Sequence, residues 1–261
     1  MLTMGGGWHS PPRVGIRALA RARGRGQTEP AGAGPAAASG ERSATPAHVA
    51  GTVLWDVDTQ VDFMLPDGKL YVHGAEETAP AMRALVDAAR AAGVVHVASA
   101  DDHELTDPEL VEEPDFRNTY PPHCLRGTRG ARKIPETDQD DPLPLGEIPI
   151  PPGLLAERVR GRRELLLLKK NFDVFTNPNA NALLDILDPD EIVLFGVATD
   201  VCNDAAIRGL LLRGRSVTFV EDAARGLDEE RTASCTAAWR EAGVRFATTV
   251  EAVTALRRPS G

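Results

Sequence analysis

The sequence predicts an α/β fold, a three-layer sandwich in which a mostly parallel, six-stranded sheet is flanked by helices on both faces. Three observations carry that prediction. Short apolar runs alternate with stretches of helical period from about residue 52 onward. Hydrophobic residues make up 42% of 261, enough for a sizeable core. Polar residues able to do chemistry recur just after the apolar runs, and in open parallel sheets ligands bind at those carboxyl ends.

The first fifty residues stand apart. They are rich in Gly, Ala, Pro and Arg (Arg13, Arg17, Arg21, Arg23, Arg25) and have no hydrophobic period, so residues 1–50 are expected to be a disordered tail ahead of one domain over residues 51–261. An organellar transit peptide and a start site placed too far upstream are the other readings of an Arg-rich, acid-poor leader.

Thr52 to Asp58 reads as the first buried strand, left through the Pro66-Asp67-Gly68 turn. Glu76 to Ala92 places Ala79, Met82, Leu85, Val86 and Ala89 at helical spacing and stops at Gly93. Val94 to Ala100 is the second strand. Residues 104–163 are Pro-rich and acidic with no clear element, a long loop expected to fold over the site. Strands at Glu164 to Lys169, Glu191 to Val197, Ser216 to Glu221 and Val244 to Thr248 then alternate with helices at Ala180 to Leu187, Asp200 to Leu212 and Asp228 to Ala242, followed by a closing helix.

A formal net charge of −9 argues against a nucleic-acid or anionic-membrane surface, and no apolar window approaches a membrane span. Three scattered cysteines, Cys124, Cys202 and Cys235, form no CxxC and no disulfide framework. A cytoplasmic, reducing compartment is the expectation, with a small neutral or weakly charged molecule as ligand.

The decisive stretch runs from Ile192 to Asp204. An apolar run ends at Gly196, and Cys202 follows at a strand-to-helix junction, where unpaired N–H groups and the helix dipole favour a thiolate. Asp58, Lys169 and Cys202 together supply a proton-shuttling carboxylate, a cation and a nucleophile, which is what attack on an amide requires. The N–H groups of Ala198 and Cys202 are candidates for an oxyanion hole. Asp101, His103 and His123 offer one carboxylate and two imidazoles to a divalent metal, zinc first, with manganese or iron as alternatives. Phe63 and Tyr120 are placed to flank a flat ring. Taken singly, each of these residues has an ordinary structural explanation; Cys124 and Cys235 are read as packing residues.

Asp58-Thr-Gln-Val-Asp62-Phe63 resembles the Asp-x-Gln-x-Asp-Phe signature of the isochorismatase-like cysteine hydrolases. Gly196-Val-Ala-Thr-Asp-Val-Cys202 resembles their nucleophile turn, and Lys169-Lys-Asn-Phe-Asp-Val-Phe175 is similar to their lysine segment. Asp101-Asp-His103 and Tyr120-Pro-Pro-His123-Cys124-Leu-Arg-Gly-Thr128 resemble the metal segments of the nicotinamidase branch. The resemblance spans about Thr52 to Val250. It implies that Lys169 rather than Lys170 is catalytic, that Val197 and Ala198 are joined by a cis peptide aiming the Ala198 N–H into the oxyanion hole, and that nicotinamide is hydrolysed through a thioester. Self-association into a homo-oligomer is a further implication. Glu109 stands where that branch has a third histidine, and Asp173-Val174 replaces its Ser-Ala. A superfamily amidase for ureido or N-carbamoyl substrates is the alternative; it needs Asp58, Lys169 and Cys202 but no ring-binding metal. A vinyl ether hydrolase needs no nucleophilic cysteine, and a scaffold protein would not keep all three residues.

Overall fold

Thr52–Val57 forms β1, and every residue of it after Thr52 is buried, because helices cover both of its faces. The computed structural model describes residues 51–257; the tail expected over residues 1–50 lies outside the described residues. After β1 come α1 (Val61–Met64), a 3-10 turn at Ala75–Thr78, α2 (Ala79–Ala92) and β2 (Val95–Asp101). The chain continues through β3 (Leu143–Leu145), α3 (Pro152–Val159), β4 (Glu164–Lys169), α4 (Ala180–Leu187) and β5 (Glu191–Val197). It closes with α5 (Cys202–Leu212), β6 (Val217–Arg225), α6 (Glu229–Glu241), β7 (Arg245–Ala247) and α7 (Thr249–Leu256).

The strands lie in the order β3-β4-β2-β1-β5-β6-β7. Each pairing is parallel, so the sheet is wholly rather than mostly parallel. Alternation along β1 sends Val53, Trp55 and Val57 into a core shared with α3, α4, α5 and α6. Leu54 points the other way, into a core with α1, α2 and α7. In α2, Met82, Leu85, Val86 and Ala89 make the buried stripe. Pro80 opens that helix, and Gly93, at φ 66, caps it by donating to the Ala89 and Arg90 carbonyls.

The sheet has seven strands where the sequence predicted six. The extra one, Leu143-Pro144-Leu145, is three residues long and carries a proline, which a strand tolerates at a sheet edge. The segment 104–163 is therefore not without structure: it holds β3 and α3, whose Pro151-Pro152-Gly153 opening reads as a breaker but begins the helix. The helix after β5 starts at Cys202, two residues later than expected. β6 runs on to Arg225, past a register shift opposite Leu194 and Gly196.

Asp56 faces the second core and has no exposure. Lys133 lies 3.0 Å from its carboxylate, Thr59 donates to it at 2.9 Å, and His96 is 3.6 Å away. Among the described residues, no helix is long and apolar enough to cross a membrane.

Candidate active site

Four adjacent strands, β4, β2, β1 and β5, end side by side, and each delivers one polar group to the same place. Lys169 closes β4, Asp101 closes β2, Asp58 follows β1, and Cys202 opens the helix after β5. Asp58 has a left-handed φ of 50, a conformation Asp tolerates better than most residues. Its N–H donates to the Ser99 carbonyl at 3.2 Å, while the Ser99 hydroxyl donates to its carboxylate at 2.7 Å. The Lys169 amine, 1% exposed, lies 2.8 Å from the Asp58 carboxylate, also contacts Asp101, and stands 4.0 Å from Cys202 Sγ. Lys170 turns away to pair with Asp107 at 3.1 Å.

The turn that leads into Cys202, the candidate nucleophile, is shaped by close approach. Gly196 has φ +128, and a Cβ there would sit 2.1 Å from the Val57 carbonyl oxygen, so only glycine lets β5 pass β1 at this point. The Val197–Ala198 peptide is cis. The Ala198 carbonyl accepts the Val201 and Asn203 N–H groups, and the Asn203 amide donates to the Gly196 carbonyl at 2.9 Å.

Burial governs the electrostatics. It pushes the Cys202 thiol well above its ordinary value, and the Asp58 and Asp101 charges add to that while Lys169 opposes it. Burial and the two carboxylates thus oppose the thiolate expected from the helix terminus, and Lys169 favours it. Burial also raises Asp58, with Lys169 opposing and Asp101 reinforcing. Burial would raise Asp101 as well, yet Lys169 and the imidazoles of His103 and His123 hold it well below the usual carboxylate range. Lys169 stays cationic because Asp101 and Asp58 more than offset its burial.

Beside this cluster, Asp101, His103 and His123 bring one donor atom each within 4.8 Å of one another, all buried. Both Nε2 atoms face Asp101, at 3.8 Å from His103 and 3.3 Å from His123, and His103 Nε2 has no hydrogen-bond partner. Their Nδ1 atoms are fixed from behind, by Asp107 at 3.0 Å and by the Pro121 carbonyl at 2.7 Å. Imidazoles oriented from outside, with an orphaned nitrogen turned inward, fit a divalent cation. Glu109 is not in this group: its carboxylate accepts the Phe172 N–H at 3.0 Å. Burial and the Asp101 charge push it up to about 7.

A small pocket opens over Cys202 and Ala198. Phe63, Tyr120, His123, Glu109, Phe172 and Leu227 contribute to its walls. The Phe63 ring lies 5.2 Å from that of His123. The three cysteines are free; Cys124 is buried, and Cys235 is half-buried on α6.

Residues 153–252 match the isochorismatase domain family model. That stretch resembles an isochorismatase domain and runs from α3 into α7. The chain is similar to the nicotinamidase/pyrazinamidase of Mycobacterium tuberculosis, with 28% identity over 196 residues, 73% of this chain and 95% of that protein. Among solved structures, the pyrazinamidase of Pyrococcus horikoshii in complex with zinc has a TM-score of 0.60 at 20% identity, covering 76% of this chain and 98% of that one. N-carbamoylsarcosine amidase from Thermoplasma acidophilum has a TM-score of 0.59 at 22% identity, covering 76% and 96%.

Two residues of the quoted Asp58–Phe63 signature, Gln60 and Asp62, support the site in ways to which the sequence assigned no role. The Gln60 amide clips two loops: its nitrogen donates to the Asp101 and Ala131 carbonyls at 2.8 Å each, and its oxygen accepts the Asp101 N–H at 2.7 Å. Asp62 accepts the Cys124 N–H at 2.7 Å and the Lys69 N–H at 3.0 Å, and a side chain at Gly130 would run into it. The available signal was polarity inside apolar surroundings, since a buried amide or carboxylate must find partners.

Proposed function

We propose that this chain is a cysteine amidohydrolase acting on a small aromatic carboxamide, with nicotinamide as the first candidate. The observation that carries the reading is the convergence of Asp58, Lys169 and Cys202 beside a pocket lined by Cys202, Asp101 and His123, with His103 grouped with the last two.

Asp58 takes the Cys202 proton as Sγ attacks the carboxamide carbon, because burial raises both groups and so keeps the carboxylate a stronger base than an exposed one. Lys169 holds the Asp58 carboxylate in place and offsets the developing negative charge. The N–H groups of Ala198 and Cys202 stabilise the tetrahedral oxyanion. Asp58 then returns its proton to the amine as the C–N bond breaks, and ammonia leaves. Water attacks the thioester, giving one proton to Asp58 and releasing the carboxylic acid; Cys202 is reprotonated. Phe63 and Tyr120 flank the ring. Asp101, His103 and His123 would hold a divalent metal, which supplies a Lewis acid for a ring nitrogen lone pair when bound.

Ammonia release from nicotinamide is the test. Wild type should release it, a chelator should lower the rate, and Cys202→Ala should reduce it by about 10⁴-fold or more, the scale of losing a covalent nucleophile. Release from an N-carbamoyl amide that a chelator leaves unchanged, with none from nicotinamide, would replace this substrate assignment with the ureido one.

A further inference from the structure

Arg231 belongs neither to the catalytic cluster nor to the metal donors, yet its guanidinium meets two segments that flank the pocket. It stands in the first turn of α6, where its N–H donates to the capping Asp228 carboxylate at 2.8 Å. One arm of its side chain lies 2.9 Å from Asp200, whose side chain has no exposure. Asp200 belongs to the nucleophile turn, and its other oxygen accepts the Leu227 N–H at 2.7 Å. The second arm donates to the Phe116 carbonyl at 3.1 Å.

Phe116 sits at the tip of a tight loop. Its φ is 54, and Asp115 accepts the N–H groups of Arg117, Asn118 and Thr119 at 2.9, 2.8 and 2.9 Å. The Phe116 ring meets that of Tyr120 edge-on with centroids 6.3 Å apart. Tyr120, Val201 and Leu227 all line the pocket. One planar fork therefore joins the 110–120 segment to Asp200 of the nucleophile turn, and Asp200 in turn holds the loop before α6 through the Leu227 N–H. The arrangement needs arginine: lysine has a single point of attachment and cannot serve an anion and a carbonyl in the same geometry. The Arg231 side chain is 41% exposed, so water competes for it, and the connection can break without unfolding the sheet.

We propose that Arg231 is a positioning residue that latches the 110–120 segment onto the nucleophile turn and sets how closely the pocket encloses its ligand over Cys202. Only the kinetic readout rests on the proposed reaction; the latch itself is tested without substrate.

Trypsin cleavage after Arg117, followed by fragment mass in the full chain, reports opening of the segment. In Arg231→Met it should be faster by about tenfold, since cleavage follows the population of the open form. Arg231→Lys, which keeps a charge for Asp200 but loses the Phe116 carbonyl, should also be cut faster while its melting temperature stays near wild type. With nicotinamide, Arg231→Met should raise KM roughly tenfold and leave kcat within about threefold. Wild-type cleavage rates in both variants overturn the latch, as does a fall in kcat with KM unchanged. Should Arg231→Met fail to fold with Asp200 buried and unpaired, the Arg231→Lys cleavage rate decides. A wild type inert toward nicotinamide counts against the proposed reaction and leaves the cleavage comparison standing.

Discussion

Asp56 sits within an apolar strand with no exposure, and Lys133 reaches it at 3.0 Å from outside the strand. Burial alone would raise that carboxylate; Lys133 and His96 outweigh it and hold the group below its ordinary value. A lowered carboxylate contributes stability above its unfolded value near pH ~4 and loses it as pH falls through the folded one. Lys133→Met should thus cost about 3–5 kcal/mol at neutral pH, because it strands a buried charge. The deficit should shrink in acid, where Asp56 is neutral, and in the double variant Asp56→Asn/Lys133→Met. Urea midpoints at two pH values check both points. The pair was only half legible in the sequence: a charged residue within Val-Leu-Trp-Asp-Val announces that a partner exists, but nothing local says that it lies at position 133.

At the scale of elements, the strands that carry the site were readable because each is a run of buried apolar residues ending in a polar group. Lys169, Asp101, Asp58 and Cys202 fall at such ends, and the structure brings them together. The loops were not readable, because their order comes from side-chain clips rather than from a period. β3 is too short for alternation to register, and Arg231 looks like any solvated residue of a first helical turn. Gln60 is the clearest case. It donates to the Asp101 carbonyl and accepts the Asp101 N–H, as a neighbouring strand would. Gln60→Glu keeps the shape but turns an acceptor toward two carbonyls, so it should cost roughly 1–3 kcal/mol. At the proposed metal site, loosening Asp101 should also weaken retention of added zinc roughly tenfold or more, read as zinc per chain after dialysis.

For the whole molecule, one sheet serves two cores, with Trp55 in one and Phe195 in the other. The groups proposed to carry the chemistry hang on the ends of that sheet, since Lys169 and Asp101 close β4 and β2 while Asp58 and Cys202 follow β1 and β5. Loss of activity and loss of buried tryptophan fluorescence, from Trp55 and Trp239, should therefore coincide in urea; activity that vanishes at clearly lower urea would show a site that melts separately. The strand order has a further consequence for how the protein is made. A ribosome delivers β1 near the start of the domain, but its second neighbour, β5, begins only at Glu191. Through most of synthesis the central strand keeps one bare edge, and the two carboxylates and the lysine emerge before the sulfur does. Cys202 leaves the ribosome just behind the strand that covers that edge. On the proposed reaction, a nascent chain broken off before that point holds no nucleophile, so hydrolytic capacity would arrive together with closure of the sheet.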